Sequence, residues 1–279
     1  MTKQFQLVDV FGGEHFKGNP VAVIAGADAL STERMLDITR WMNLSETTFL
    51  LPPTDPGADY RVRIFTPQRE LPFAGHPTLG TCHAWLAAGG RPKGTMIVQE
   101  CGIGLVNVRA VEGGFGFAAP PLVRSGPVNE KDLARALEVL RIERSAVVEA
   151  QWVDNGPGWL GILLTSAEAV LAVRPMGSYP ERVDIGVVGP HPAGSSISWE
   201  VRAIFSNHTG GLVEDPITGS LNASVAQRLM GSGRAQRKYV AAQGTAIGRV
   251  GRISVERDQT GTIWIAGNTK TLFSGSGDF

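Results

Sequence analysis

The chain has 279 residues, of which 43% are hydrophobic, so it is long enough to bury a core in one large domain or two modest ones. Its 26 Lys and Arg residues balance its 26 Asp and Glu residues, so no net field favours nucleic acid or an anionic membrane surface. No apolar run approaches the roughly 20 residues that span a bilayer, and a small molecule is the expected partner.

The first predicted element is a short strand at the N-terminus. Gln6 and Asp9 interrupt its apolar residues, unlike the continuous apolar core of a signal peptide. The two cysteines, Cys82 and Cys101, are typical of free thiols in a reducing compartment. Together these features predict a cytoplasmic protein.

Periodicity and capping residues predict few helices. In the first helix, residues 31–42, Ser31 or Thr32 is the N-cap and Met35, Ile38 and Met42 share one face. The other predicted helices span residues 78–88, 129–140 and 217–230. Strand-like runs lie at residues 61–65, 95–99, 105–111, 159–164, 198–205, 252–255 and 262–266. The 35 Gly and 17 Pro residues are spread evenly, which indicates many short strands joined by tight turns.

A faint internal duplication organises the chain. The segment "IFTPQRELPFAGHPTLGT" is similar to "IFSNHTGGLVEDPITGS": each has a strand ending in Ile-Phe, a loop, a polar residue before Pro, and Gly-Thr or Gly-Ser opening a helix. The order of elements recurs after about 140 residues, which is far too long a period for a solenoid. The repeat predicts two similar domains, and clefts between domains are preferred ligand sites.

The polar residues before Pro, His76 and Asp215, are predicted at helix starts. Asp215 alone is explained equally well as an N-cap. His76 is a poor N-cap, and the pKa of histidine is ordinarily near neutrality, where proton transfer and anion binding are easiest. Gly75 and Gly219 lie beside backbone N–H groups at these helix starts, a combination that can bind a carboxylate or another anion.

Glu46 lies in "LSETTFLL", between a helix-breaking segment and an apolar strand. It can be the solvated edge of that strand. It can also be a general acid or base, because desolvation between Leu44 and Phe49 would raise the pKa of its carboxyl group. The local pattern leaves both interpretations open.

Several other motifs indicate little chemistry. "GPGWLG" matches the GxGxxG string of nucleotide-binding loops, but Pro157 fills the first gap and a strand-like run follows where a helix should begin. His76 and His83 have no further ligand at a spacing that would complete a zinc site. The chain has no GxSxG, so an esterase would lack its nucleophile.

With "GNPVAV", "NLSETTFL", "RIFTPQRELPFAGHPTLG" and "EDPITGS", the chain closely resembles the PhzF-like family of phenazine-biosynthesis-type isomerases over its whole length. The resemblance implies an α+β fold like that of diaminopimelate epimerase. Two pseudo-symmetric domains would each roll a mostly antiparallel sheet around a central helix. We expect them to span residues 1–118, completed by a C-terminal strand at about 266–279, and residues 119–265, with the active site in the cleft between them.

The resemblance also implies a homodimeric, cofactor-free isomerase that moves a proton on a small anionic substrate, without a metal. Glu46 would be the acid/base, assisted by His76 and Asp215. The substrate would be bound by Asn19, Gly75, Gly219 and Ser220. The second-half motif "DPITGSLNAS" departs from the Ala-rich helix start of the phenazine enzyme, so phenazine-precursor chemistry does not follow.

The positions of the two cysteines exclude a two-thiol racemase. The related epimerases use one cysteine from each domain, whereas Cys82 and Cys101 both lie in the first half. Two alternatives to an isomerase stay open at this point. A non-catalytic member of the same fold would bind a small molecule or a protein without chemistry, and a hydrolase or lyase would change the mass of its substrate.

Overall fold

The computed structural model describes residues 2–207 and 209–279. The chain divides into two compact units. Unit 1 consists of residues 1–118 and 266–279, and unit 2 consists of residues 119–265. In the part of the chain that is described, no helix is both long and apolar enough to cross a membrane.

Unit 1 contains eight strands from the first segment of the chain and most of one long C-terminal strand. Its elements are β1 (Thr2–Val10), β2 (Asn19–Ile24), α1 (Thr32–Met42), β3 (Glu46–Leu51), β4 (Tyr60–Phe65), β5 (Glu70–Leu71), α2 (Gly75–Ala87), β6 (Ile97–Cys101), β7 (Gly104–Val111), β8 (Gly114–Ala118) and β17 (Ile263–Asp278). The main strands pair in the closed order β1, β2, β3, β4, β6, β7, β8, β17 and back to β1. The pairs β2–β3 and β4–β6 are parallel, and the other pairs with a defined register are antiparallel.

The closed sheet of unit 1 surrounds α2. Eight consecutive residues of this helix, 75–82, are buried, which is more than two turns, so every face of the helix is covered. Gly80 makes the fit possible, because a Cβ atom there would lie 2.3 Å from Cγ1 of Val21 on β2. By contrast, α1 lies against the sheet with one buried face. Ser31 caps its first turn by accepting a hydrogen bond from the N–H of Arg34.

Unit 2 repeats the same arrangement. Its elements are β9 (Arg124–Pro127), α3 (Glu130–Leu140), β10 (Val147–Asp154), β11 (Leu160–Leu164), α4 (Ala167–Ala172), β12 (Asp184–Pro190), β13 (Trp199–Ser206), β14 (Leu212–Asp215), α5 (Gly219–Gly231), β15 (Lys238–Gln243), β16 (Gly251–Arg257) and short 3₁₀ turns at Arg144–Ala146 and Thr245–Ile247. The pairs β11–β12 and β13–β15 are parallel, and the other defined pairs are antiparallel. Six consecutive residues of α5, 221–226, are buried, so α5 is the central helix of unit 2.

The duplication extends to individual side chains. Each central helix is followed by a strand that carries a fully buried glutamine, Gln99 in unit 1 and Gln243 in unit 2. Each glutamine side chain is hydrogen-bonded to the side chain of the fourth residue of its helix. Gln99 Nε2 donates to Thr78 Oγ1 at 2.9 Å, and Asn222 Nδ2 donates to Gln243 Oε1 at 2.7 Å. The prediction of two pseudo-symmetric domains, each with a mostly antiparallel sheet around a central helix, is confirmed.

The structure corrects several predicted boundaries. α2 begins at Gly75, three residues before its predicted start, since Pro77 is accommodated in the first turn. The run predicted at residues 262–266 belongs to the long strand β17, and the short helix α4 was not predicted. The sequence repeat aligns His76 with Asp215, whereas the helix starts align His76 with Ser220. The first two residues of α2 are Gly75 and His76, and those of α5 are Gly219 and Ser220.

Candidate functional site

In unit 1, Glu46 lies next to His76. Glu46 is the first residue of β3, and His76 is the second residue of α2. The distance from Oε2 of Glu46 to Nε2 of His76 is 3.4 Å, and the two side chains are 15% and 4% exposed. The fold therefore brings a carboxyl group that solvent can still reach against a buried imidazole.

Burial keeps the His76 imidazole neutral. It lowers the pKa of His76 to about 3, despite a hydrogen bond with the backbone carbonyl of Pro20, which acts in the opposite direction. Nδ1 of the ring is 3.4 Å from Nδ2 of Asn19, the first residue of β2. The expectation that His76 has a pKa near neutrality is wrong, because the enclosure of α2 removes the ring from water.

The start of α2 presents backbone N–H groups without a side-chain cap. Ala74 occupies the N-cap position, and its methyl group cannot accept a hydrogen bond. Gly75 and His76 follow as the first two helical residues, and Pro77 has no N–H. The first turn therefore has the chemistry of an anion-binding helix start.

In unit 2, the start of α5 is held by a loop between β10 and β11. The indole Nε1–H of Trp159 donates to Oγ of Ser220 at 3.1 Å, and Nδ2 of Asn155 donates to the Ser220 carbonyl at 2.9 Å. The loop is closed by Asp154, whose Oδ1 accepts from the N–H groups of Gly156 and Gly158, both at 2.7 Å. Both glycines have positive φ, +139° and +108°, which L side chains rarely adopt.

Asp215 is not at the helix start. It is the last residue of β14, and Thr218 is the N-cap of α5, so the N-cap interpretation of Asp215 is wrong. Oγ1 of Thr218 donates to Oδ2 of Asp215 at 2.5 Å, and Gln243 Nε2 donates to the same Oγ1 at 2.9 Å. Asp215 is thus tied to the helix start through Thr218, while Gly219 and Ser220 form the first turn.

Four side chains at these helix starts escaped the sequence analysis: Asn155, Trp159, Gln99 and Gln243. Asn155 and Trp159 lie in the segment that contains "GPGWLG", which does not fit a nucleotide-binding loop. Gln99 and Gln243 open the similar segments "QECGIG" and "QGTAIG", one in each half of the chain. A buried polar residue in the same place in both copies was the signal that could have identified them.

No metal cluster is formed by the described residues. Within residues 2–207 and 209–279, His, Cys, Asp and Glu side chains do not assemble into any group of three or more that could hold a metal ion.

Comparison with known proteins identifies the family. The family model described as phenazine biosynthesis-like protein matches residues 8–275. The chain is similar to antisense-enhancing sequence 1 of Schizosaccharomyces pombe, with 35% identity over 97% of each chain. It is also similar to trans-2,3-dihydro-3-hydroxyanthranilate isomerase of Pseudomonas aeruginosa, with 31% identity over 98% of each chain.

The solved structures agree with this comparison. A predicted epimerase from Pseudomonas aeruginosa matches with a TM-score of 0.79 and 26% identity, covering 98% of both chains. The two-unit fold is thus that of diaminopimelate epimerase-like proteins. Since the family model matches nearly the entire chain, the chain belongs to the phenazine biosynthesis-like (PhzF) family, and it is an isomerase.

Proposed function

We propose that the protein moves a proton on a small carboxylated substrate, unsaturated or cyclic, by general acid/base catalysis without a cofactor. Glu46 removes a proton from a carbon atom, the electron pair shifts along the adjacent double bond, and Glu46 returns the proton to another carbon. No atom is gained or lost, so the product has the mass of the substrate. Substrates of this kind are named for the isomerase relative from Pseudomonas aeruginosa.

The contact between Glu46 and His76 is the observation that carries the proposal. A group that alternates between acid and base needs a neighbour that tolerates both of its charge states. A neutral imidazole meets this requirement, since it adds no fixed positive charge that would lock Glu46 as a carboxylate. The 3.4 Å distance between Nε2 and Oε2 keeps the imidazole beside the carboxyl group as this group gains and loses the proton.

Substrate binding is proposed for the two helix starts. The N–H groups at Gly75 and Gly219, together with the Ser220 hydroxyl, are suited to carboxylate or carbonyl oxygens, and Asn19 extends the set in unit 1. Asp215 is proposed as a further acid in unit 2, oriented by its hydrogen bond from Thr218.

The test is solvent deuterium exchange with trans-2,3-dihydro-3-hydroxyanthranilate and related unsaturated cyclic acids. We expect Glu46→Gln to lower the rate of exchange and isomerisation by about 10²–10⁴-fold, while ligand affinity changes little, because the amide keeps the shape but cannot carry the proton. The matched control is Glu100→Gln, which alters a partly exposed carboxylate of unit 1 that accepts from the N–H of Thr54. Its activity should equal that of the wild type.

Three outcomes would contradict the proposal. Full exchange in Glu46→Gln would remove Glu46 from the reaction. Binding without exchange by the wild type across the panel would favour the non-catalytic alternative. A product of different mass would indicate a hydrolase or a lyase.

A further inference from the structure

The Ser220 hydroxyl is held by a side chain that can only donate. The Trp159 indole is buried, 4% exposed, and its Nε1–H lies 3.1 Å from Ser220 Oγ. An indole N–H has no acceptor capacity, so Ser220 must accept in this hydrogen bond. One lone pair of Oγ is therefore occupied, and the hydroxyl proton is left to donate elsewhere.

The same loop also fixes the backbone of this residue. Asn155 Nδ2 donates to the Ser220 carbonyl at 2.9 Å, so side chain and main chain are both held from one segment. Because Asp154 Oδ1 closes that segment onto the N–H groups of Gly156 and Gly158, the loop that carries Trp159 and Asn155 is itself constrained. Ser220 is thus oriented by two hydrogen bonds from one constrained loop.

Unit 1 uses its corresponding hydroxyl differently. In the sequence repeat, Thr81 stands where Ser220 stands, but Thr81 lies in the middle of α2 and is fully buried. Its Oγ1 donates to Oγ1 of Thr48 at 2.8 Å and serves the packing of the central helix. The partly exposed, indole-bonded hydroxyl is a feature of unit 2, where the helix starts one residue before Ser220.

We propose that Trp159 is a positioning residue that makes Ser220 a hydrogen-bond donor, so that the start of α5 selects a carboxylate or carbonyl oxygen over an ammonium group. The inference deepens the proposed function and rests on it for the carboxylated substrate. The positive end of the helix dipole favours the same choice, because it attracts an acceptor atom and repels a cation. Trp159 thereby acts on specificity through Ser220 without touching the substrate.

The experiment measures binding of two stable probes by calorimetry. 3-Hydroxyanthranilate is the aromatic counterpart of the relative's substrate, and 2-aminophenol is the same molecule without its carboxylate. Trp159→Phe keeps the ring but removes the N–H. We expect it to weaken 3-hydroxyanthranilate binding about fivefold, the effect of one hydrogen bond, and to leave 2-aminophenol affinity within twofold.

A double-mutant cycle separates positioning from general packing. Ser220→Ala should weaken 3-hydroxyanthranilate binding about fivefold to tenfold, and adding Trp159→Phe to it should change nothing further, because Trp159 acts through the hydroxyl. The matched control is Trp264→Phe. Trp264 is also buried, and its indole N–H donates to Asp258 Oδ2 at 2.8 Å in the turn between β16 and β17. Probe binding should equal that of the wild type.

NMR gives a readout that does not depend on folding of the Trp159 variant. In Ser220→Ala, the Trp159 indole N–H resonance should move upfield as its acceptor disappears, while the Trp264 resonance stays in place. Additive losses in the cycle, equal loss for both probes, no measurable 3-hydroxyanthranilate binding by the wild type, or an unmoved Trp159 resonance would overturn the proposal. Binding needs no proton transfer, so a failed test of Glu46 would leave this result readable.

Discussion

The neutral state of His76 should make the protein less stable in mild acid. In an unfolded chain histidine has a pKa of about 6.5, whereas burial lowers the pKa of His76 to about 3 in the fold. The folded pKa is the lower of the two, so below pH 6.5 the unfolded chain binds a proton that the folded chain refuses. The contribution of His76 to stability is therefore complete above pH 6.5 and is lost as the pH falls towards 3.

The size of this effect follows from the two pKa values. Between these two pKa values, each fall of one pH unit lowers the free energy of unfolding by about 1.4 kcal/mol. The loss between pH 7 and pH 5 is about 2 kcal/mol. His76→Gln cannot titrate in this range. We therefore expect wild-type protein to lose about 2 kcal/mol more than this variant between the two pH values, as measured by urea denaturation.

A direct titration checks the same reasoning. The ring resonances of His76 should not shift between pH 8 and pH 4.5 in NMR spectra of the folded protein. In the urea experiment the control is His83→Gln. Burial also lowers the pKa of His83, but that ring is only half-buried, so it should contribute less to the pH dependence of stability. A His76 midpoint between pH 5.5 and pH 7, or parallel stability profiles for wild type and His76→Gln, would refute the reasoning.

Two further predictions concern the frame of the units. Glu214→Ala leaves Arg202, 5% exposed, buried without its carboxylate partner and should cost about 3–5 kcal/mol in urea denaturation. Glu70→Ala breaks the more exposed pair with Arg63 in unit 1 and should cost about 0–1 kcal/mol; equal costs would contradict this. Gly80→Ala places a methyl group against β2 and should destabilise the protein by about 1–3 kcal/mol in thermal unfolding. In Gly231→Ala the methyl group enters open space at the end of α5 and should not destabilise the protein. A larger loss of stability in Gly231→Ala than in Gly80→Ala would contradict the packing.

Helices on the surface could be predicted from the sequence because their signals are local. α1 and α3 begin within one residue of their predicted starts, where Ser31 and Asn129 provide the caps. α2 has no apolar stripe, since all its faces are buried, and its start was therefore predicted three residues late. The six-residue helix α4 is too short for a helical period to stand out.

The chemistry of individual site residues was predictable only in part. Repeat and motif drew attention to Glu46 and His76, but their 3.4 Å contact joins a strand start to a helix start that are distant in sequence. The pKa of His76 was misjudged because burial is a property of the folded unit and not of the local sequence. Trp159 was overlooked for a similar reason, since its role depends on the partner that the fold brings to its indole N–H.

The proposed proton shift is asymmetric, and the two units differ at corresponding positions in a way that fits it. Glu46 and Asp184 are the first residues of β3 and β12, each paired in parallel with the preceding strand of its sheet. Asp184 accepts two hydrogen bonds from Arg182, at 2.9 and 3.1 Å. Glu46 instead lies against the neutral imidazole of His76.

The helix starts differ in the same sense. The second helical residue is the neutral His76 in α2 and the hydroxyl-bearing Ser220 in α5, and the latter is bonded by a donor that leaves its proton available. A racemase with two equivalent bases would require similar proton carriers at corresponding positions of both units. In the proposed reaction, Glu46 and His76 handle the proton in unit 1, whereas Ser220 binds an oxygen atom and Asp215 is a further acid in unit 2. This division fits a proton shift in which one carboxyl group, that of Glu46, both removes and returns the proton.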